Sequence, residues 1–285
     1  MTWLLRLLSL FPLRGLQLLG AGLGSLAFRL VPVLKQRTNE NLAQAGYNDP
    51  KLYLRVGRNI GRQALESCWI WYRDAEEVCS RVTVAPEVVE LFDQAIQENR
   101  PIVFMAPHIG CFEVLPVWFA HRYYQSQGKR IAILFRPPKK DFLNKIVGES
   151  RQSPGIEACP TNLAGIKRAI RNLRQGSTFG VLPDQVPSSG DGAWTTWFGR
   201  KAYTMTLPMR VAKQFDAIRI FAWSSREGHG WRLHACRWDE PLTGDIATDA
   251  QKMNDQIEAI IRTVPEQYGW SYNRYKVPSG ARAEK

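Results

Sequence analysis

Between Val103 and Pro116 the chain reads VFMAPHIGCFEVLP, a short apolar run followed at once by His108 and, five places on, by Glu113. An imidazole at the end of a buried strand with a carboxylate in the first turns of the next helix is a spacing suited to proton transfer. If the chain doubles back there, the carboxylate can fix the ring's tautomer and stabilise its protonated form, making a general base for a hydroxyl. A plainer reading stands beside it, in which His108 satisfies buried backbone groups. Cys111 lies inside the same segment and raises a third chemistry, a Cys-His pair that would form an acyl-enzyme. The histidine is expected just outside the helix, where the i,i+3 spacing does not bring the two together. Cys111 is therefore read as a small buried residue.

The elements that must position these groups follow from periodicity. PIVFMAP, RIAILFRP and TFGVLPD read as buried strands, while AIRIFAWSS and WRLHACRW flank REGHG as a hairpin. Between them the pattern turns helical. One helix is expected from Asp49 and Pro50 to Tyr72, with Leu52, Val56, Ile60 and Ala64 on one stripe, and another from Pro86 to Glu98. Further helices are expected over FEVLPVWFAHRYYQ, over Lys139 to Glu149, through Leu163, Ile166, Ile170 and Leu173 up to Gly176, and from Asp249 to Tyr268. Strand and helix in alternation predict an α/β fold with a mostly parallel sheet flanked by helices. In such sheets ligands bind beyond the carboxyl ends of the strands, where His108 falls.

The first thirty-odd residues differ in kind. They are rich in Leu but broken by Arg6, Arg14 and Arg29, and the longest charge-free piece, Gly15 to Phe28, has fourteen residues. As a helix it covers roughly 21 Å against a hydrocarbon core of about 30 Å. The expectation is an N-terminal membrane-anchoring helix over residues 1–37, lying in the interface or spanning with its arginines at the headgroups. A domain at 38–278 and a polar tail at 279–285 complete the chain. Lys35 and Arg37 would keep that domain on the cytoplasmic side of a spanning anchor. Gly20 and Gly24 make one GxxxG match. The charge of +12 favours an anionic partner, and the five cysteines form no C-x-x-C pair, which reads as reduced thiols.

The ordered set His-x4-Glu at 108–113, LFRPPKKDFLNKIVGESR, GIKRAIRNLRQGSTFGVLPDQ, WFGRKAYTMTLPMRVAK and PEQYGWSYNRYK resembles the late acyltransferases of lipid A biosynthesis, within the His-x4-Asp/Glu acyltransferases, from the N-terminus to about Pro278. The resemblance implies a bacterial inner-membrane enzyme whose catalytic domain faces the cytoplasm. It would move a fatty acyl group from acyl carrier protein to a hydroxyl of an acyl chain on lipid A or its precursor. His108 would be the base and Glu113 its partner, and Arg136, Arg151 and Asp184 match further positions treated as functional. Attack of an alcohol on a thioester builds charge on the carbonyl oxygen, which a fixed guanidinium can stabilise at about 3 kcal/mol per donor. No metal or cofactor is required, and His121, His229 and His234 lack a ligand constellation. GAWTT before WFG and SYNRYKVP near the end depart from the family's usual form. Lys167, Arg171 and Arg174 on one helical face are a solvated face or a seat for an acidic carrier protein or the lipid phosphates. Trp69, Trp71, Tyr72, Trp118 and Phe119 are core, acyl groove or interface residues. The rival readings are a lysophospholipid or other glycolipid as acceptor, a Cys111-dependent thioesterase or lipid hydrolase, and a non-catalytic basic binder. No nucleic-acid motif supports the last.

Overall fold

Strands buried on both faces need apolar residues at every position, and two of the chain's apolar runs supply them. In the computed structural model, which describes residues 2–137 and 153–281, β2 (Ile102–Met105) and β5 (Thr178–Val181) are buried throughout and lie side by side at the middle of a seven-stranded sheet. With β1 (Val82–Val84), β3 (Ile131–Phe135), β4 (Ile156–Pro160), β8 (Ile218–Glu227) and β9 (Gly230–Arg237), the order is β1-β9-β8-β2-β5-β3-β4. All neighbours are parallel except β8 and β9, which form the expected hairpin. Side chains alternate between two cores, Ile102 and Phe104 on one face and Val103 and Met105 on the other.

Helices cover both faces. The end of α4 (Pro50–Tyr72), α6 (Pro86–Gln97) and α7 (Val114–Phe119) pack on the first, the short α5 (Ala75–Cys79) lying between α4 and β1. On the second lie α8 (Leu163–Arg174), α9 (Leu207–Gln214) and α10 (Ile246–Thr263). Asp49 caps α4 as its residue type implies, accepting from the Lys51 N–H at 2.8 Å. Two expectations need correction, and one stretch with no expected element turns out to be a hairpin. The last helix starts at Ile246, where Asp245 accepts from the Thr248 N–H at 2.9 Å, and stops at Thr263 because Pro265 disfavours helical geometry in the residue before it. The helix over residues 112–125 is broken: Pro116 is tolerated in the first turn of α7, and Ala120–Tyr124 widen into a π turn. GAWTT is the first arm of a separate hairpin, β6 (Gly192–Trp197) and β7 (Arg200–Met205), turned by Phe198 and Gly199 at φ 45° and 76°. Phe198 holds that conformation because its N–H donates to Glu258 at 2.6 Å and its carbonyl accepts from Gln44 at 2.7 Å. The helix expected over Lys139 to Glu149, like Arg151, lies outside the described residues.

The N-terminal segment is three helices, α1 (Thr2–Ser9), α2 (Leu13–Leu30) and α3 (Pro32–Gln44), the last straddling residue 37. No single helix among the described residues is long and apolar enough to cross a membrane, and α2 and α3, which together pass that test, meet at 93°. Gly20 and Gly24 lie against Gly57 and Gly61 of α4. A Cβ on Gly20 would stand 2.5 Å from the Gly61 carbonyl oxygen, and one on Gly24 would meet the Gly57 carbonyl, so the two backbones touch where a side chain would part them. A buried polar knot secures the contact, with Arg226 Nε 2.7 and 2.8 Å from the two Glu66 carboxylate oxygens and Gln17 of α2 donating to Glu66 at 2.9 Å. The opposite face of α2 carries Leu18, Leu19, Leu23, Leu26 and Leu30, each at least half exposed.

Candidate active site

Register decides what meets at the sheet's carboxyl edge. Met105 of β2 pairs with Val181 of β5, and three residues beyond each of them come His108 and Asp184. The carboxylate of Asp184 accepts from the His108 backbone N–H at 3.0 Å, and its second oxygen lies 2.7 Å from His108 Nδ1. With Nδ1–H donating to Asp184, Nε2 is left as the acceptor, and the Gln185 side-chain amide lies 3.1 Å from it. That is the tautomer a general base working through Nε2 requires.

The loop holding His108 is fixed from outside the sheet. Gly110 sits at φ 57°, where a Cβ would collide with the Ser224 carbonyl, so only glycine fits that turn. Its N–H donates to the Gln267 carbonyl at 3.0 Å, and the Gly269 N–H donates to the His108 carbonyl at 3.1 Å, so the C-terminal stretch clamps the loop on both sides. The ring itself packs edge-on against Phe112 at 4.8 Å.

Asp184 is 1% exposed. Burial alone would raise its carboxyl pKa, but the charge of the His108 ring, with the hydrogen bonds from that ring and from the His108 N–H, more than offsets it and holds the carboxyl below its ordinary 3.8. Behind it the Tyr268 phenol is pushed well above its usual range by burial and by the Asp184 charge. Arg274, 2% exposed, donates to the Tyr203 carbonyl at 2.8 Å and to Thr204 at 2.6 Å and lies 4.8 Å over the Trp197 ring.

The sequence reading gave Glu113 the place that Asp184 holds. Glu113 is buried, but its carboxylate accepts from the Trp71 indole N–H at 3.0 Å, and Nδ1 of the imidazole is occupied from the other strand. Arg136 donates to the Val186 carbonyl at 3.2 Å, which sets its guanidinium beside the loop that carries Asp184. Arg151 lies outside the described residues. Cys111 is fully buried, and burial, with the nearby Glu66 carboxylate, pushes its thiol well above the ordinary 9.0, the wrong direction for a nucleophile. Among the described residues no three His, Cys, Asp or Glu side chains group closely enough to hold a metal ion. Gln185 is a site residue that the sequence reading passed over; its only signal was its place next to Asp184.

His108 separates two spaces of opposite character. On one side is an apolar cavity of about 580 Å³ reaching from Glu113 and Gln185 down between Trp71, Phe104, Trp118 and Phe119. On the other is a polar basin of about 470 Å³ whose walls include Gln63, Tyr268, Ser271, Asn273 and the cations Arg37 and Lys276. A base between a greasy slot and a wet, basic bowl can take a proton from the hydroxyl of a molecule that is part lipid and part polar headgroup.

Comparison with known proteins points the same way. Residues 1–277 match the family of bacterial lipid A biosynthesis acyltransferases. The chain is 26% identical over 187 residues to the lipid A biosynthesis myristoyltransferase of Escherichia coli strain K12, a match covering 64% of this chain and 55% of that protein. It is 24% identical over 188 residues to the lipid A biosynthesis acyltransferase of Haemophilus influenzae, covering 64% and 56%. With the lipid A biosynthesis lauroyltransferase of Escherichia coli strain K12 it shares 24% identity over 297 residues, 98% of this chain and 93% of that one. The chain thus spans just over half the length of the first two relatives and nearly all of the third.

Proposed function

The chain belongs to the bacterial lipid A biosynthesis acyltransferase family, and from that premise we propose that it carries a fatty acyl group from an acyl carrier protein thioester to a hydroxyl on an acyl chain of lipid A or its precursor. The observation that carries the reading is the His108–Asp184 pair, its unprotonated ring nitrogen placed between the apolar cavity and the polar basin. The acyl chain of the donor lies in the cavity along Phe104, Trp118 and Phe119. The acceptor hydroxyl approaches Nε2 from the basin side, displacing the Gln185 amide, and gives up its proton as its oxygen attacks the thioester carbonyl. Asp184 stabilises the imidazolium that forms. Collapse of the tetrahedral intermediate breaks the carbon–sulfur bond, and the departing thiolate takes the proton back from Nε2, leaving an ester and a free carrier thiol.

The negative charge on the carbonyl oxygen calls for a donor at the cavity rim. Arg136 is suitably placed, and Arg151 is the family's candidate for the same task. Glu113, held on the Trp71 indole at the cavity wall, adds a second carboxylate near the imidazolium. The exposed face of α8, with Lys167, Arg168, Arg171 and Arg174, offers a basic ridge to an acidic carrier.

The same reading places the protein on the cytoplasmic face of the bacterial inner membrane. Because one side of α2 is spent on α4 through touching glycine backbones, the helix is suited to lie along the surface with its leucines in the acyl region, rather than to cross with lipid on every side. Arg6, Arg14 and Arg29 then reach anionic headgroups.

The test offers purified full-length protein an acyl-carrier thioester bearing a labelled chain, with a lipid A precursor, a lysophospholipid and an unrelated glycolipid as acceptors in turn, and weighs the products by mass spectrometry. Acylation of the lipid A precursor that disappears in His108→Ala is the expected result. Transfer to the lysophospholipid alone, or full activity in a folded His108→Ala protein, refutes the assignment.

A further inference from the structure

One residue at the middle of the sheet has no side chain where its neighbours have large ones. Register sets Gly180 of β5 between Phe104 of β2 and Ile133 of β3, in a row that Ile220 continues on the far side of Phe104. Phe179 and Val181 belong to the core of Val103 and Met105, so Gly180 faces the other side, where it lines the apolar cavity. Backbone geometry does not call for a glycine here. Its φ is not among the positive ones. Among the described residues, the nearest neighbours of an added Cβ would be the Ala132 carbonyl oxygen, Ile131 and Ile133, each at 3.8 Å, which is ordinary contact. Glycine weakens a strand interior, and its use there marks a place where another group passes close to the backbone. Ile133 reports the same opening, as the one residue of β3 that is not fully buried.

Position along the cavity gives the notch its meaning. Gly180 stands four residues before Asp184, as Phe104 stands four before His108, a span of roughly 13 Å at about 3.3 Å per residue. An extended acyl chain advances about 1.25 Å per carbon, given bonds of about 1.5 Å and tetrahedral angles. A chain with its carbonyl at His108 therefore reaches Gly180 near its tenth carbon. The cavity continues past that row to Ile131 and Ile156, at the starts of β3 and β4, which adds room for about five carbons more. Resting on the transferase reading, we infer that Gly180 sets the length of acyl chain the donor site accepts, by letting a chain of more than about ten carbons cross the sheet between Phe104 and Ile133. A larger side chain at that position would stand in the path of the carbons beyond the tenth.

The experiment measures the affinity of the full chain for saturated fatty acids of ten and fourteen carbons, below their micellar concentrations, with transfer from acyl-carrier thioesters of the same lengths followed in parallel. Each buried carbon strengthens binding about fourfold, so the wild type is expected to prefer fourteen carbons over ten by about 200-fold. In Gly180→Leu that ratio should fall to about one, and the ratio of kcat/KM for the two thioesters should fall with it. Gly180→Ala adds only a methyl and should lower the ratio about fourfold, which keeps the test open if the leucine variant does not fold. A wild type that does not distinguish the two lengths overturns the inference, as does a ratio left at the wild-type value in either variant with unchanged circular dichroism. A wild type that binds with the expected preference yet transfers no acyl group leaves the role of Gly180 standing and removes the transferase reading, so the two fail separately.

Discussion

Replacing Asp184 by asparagine keeps the shape of the side chain and removes its charge, and the geometry of the pair fixes the consequence. One oxygen accepts from the His108 N–H at 3.0 Å and the other faces Nδ1 at 2.7 Å. In Asp184→Asn the amide oxygen must stay on the backbone N–H, since turning the NH₂ there would oppose two donors in a buried site at about 1–3 kcal/mol. The NH₂ then faces Nδ1, which must give up its proton, and the proton moves to Nε2, where it blocks the base. Reaching the active tautomer costs that 1–3 kcal/mol. Loss of the charge-assisted bond to the imidazolium adds roughly 1–2 kcal/mol. Together these predict a fall in kcat of about 30-fold to 5,000-fold, taking 1.36 kcal/mol per factor of ten. Initial rates at saturating donor and acceptor measure it, with thermal unfolding as the control for fold. Glu113→Gln can keep an oxygen on the Trp71 indole and leaves Nδ1 undisturbed, so its loss should be the smaller. If a folded Asp184→Asn protein works within threefold of wild type while Glu113→Gln is crippled, Asp184 is not the partner of the base.

Three further outcomes are expected. Gly61→Ala puts a Cβ against the Gly20 carbonyl and should cost roughly 1–3 kcal/mol, read as a lower Tm; an unchanged Tm would mean that the α2–α4 contact is not made as described. Changing Leu19, Leu23 and Leu26, each about half exposed, to serine should weaken binding to vesicles containing anionic lipid by about 100-fold, at about 1 kcal/mol for the half of each side chain still open to water, without altering circular dichroism; unchanged sedimentation with vesicles would remove α2 as the docking surface. The thiols should resist alkylation at pH 7.5, because burial pushes Cys79 and Cys159 up to about 11, leaving each about 100-fold less thiolate than a thiol at the ordinary value, and raises Cys111 well above its ordinary value; rapid labelling of Cys111, or loss of transfer in Cys111→Ala, would revive the thiol chemistry.

Much of the frame was legible in the sequence because it rests on local pattern. Apolar runs of four or five residues gave β2, β3 and β5, and AIRIFAWSS with WRLHACRW gave the β8–β9 hairpin. The N-cap at Asp49 and the stripe through Leu163 to Leu173 likewise follow from residue type and period, and so did the place of His108 at a strand end. Short or alternating strands were not legible. β1 has three residues, and β4 and the β6–β7 hairpin carry too little apolar signal to stand apart from loop.

Sequence alone thus determined that an imidazole would stand at the carboxyl edge of a parallel sheet, with Asp184 at the end of another strand, and that the N-terminal segment would be apolar and basic. Only the tertiary structure decided which carboxylate meets the ring. Five residues along one chain made Glu113 the natural partner, but hydrogen-bond register between β2 and β5 brings Asp184, seventy-six residues away, onto Nδ1. It likewise turned Gly20 and Gly24 toward Gly57 and Gly61 of the same molecule. Pairing across strands and close approach of helices depend on which elements become neighbours, and that is fixed by the packing of the whole core rather than by the spacing of residues within any one segment.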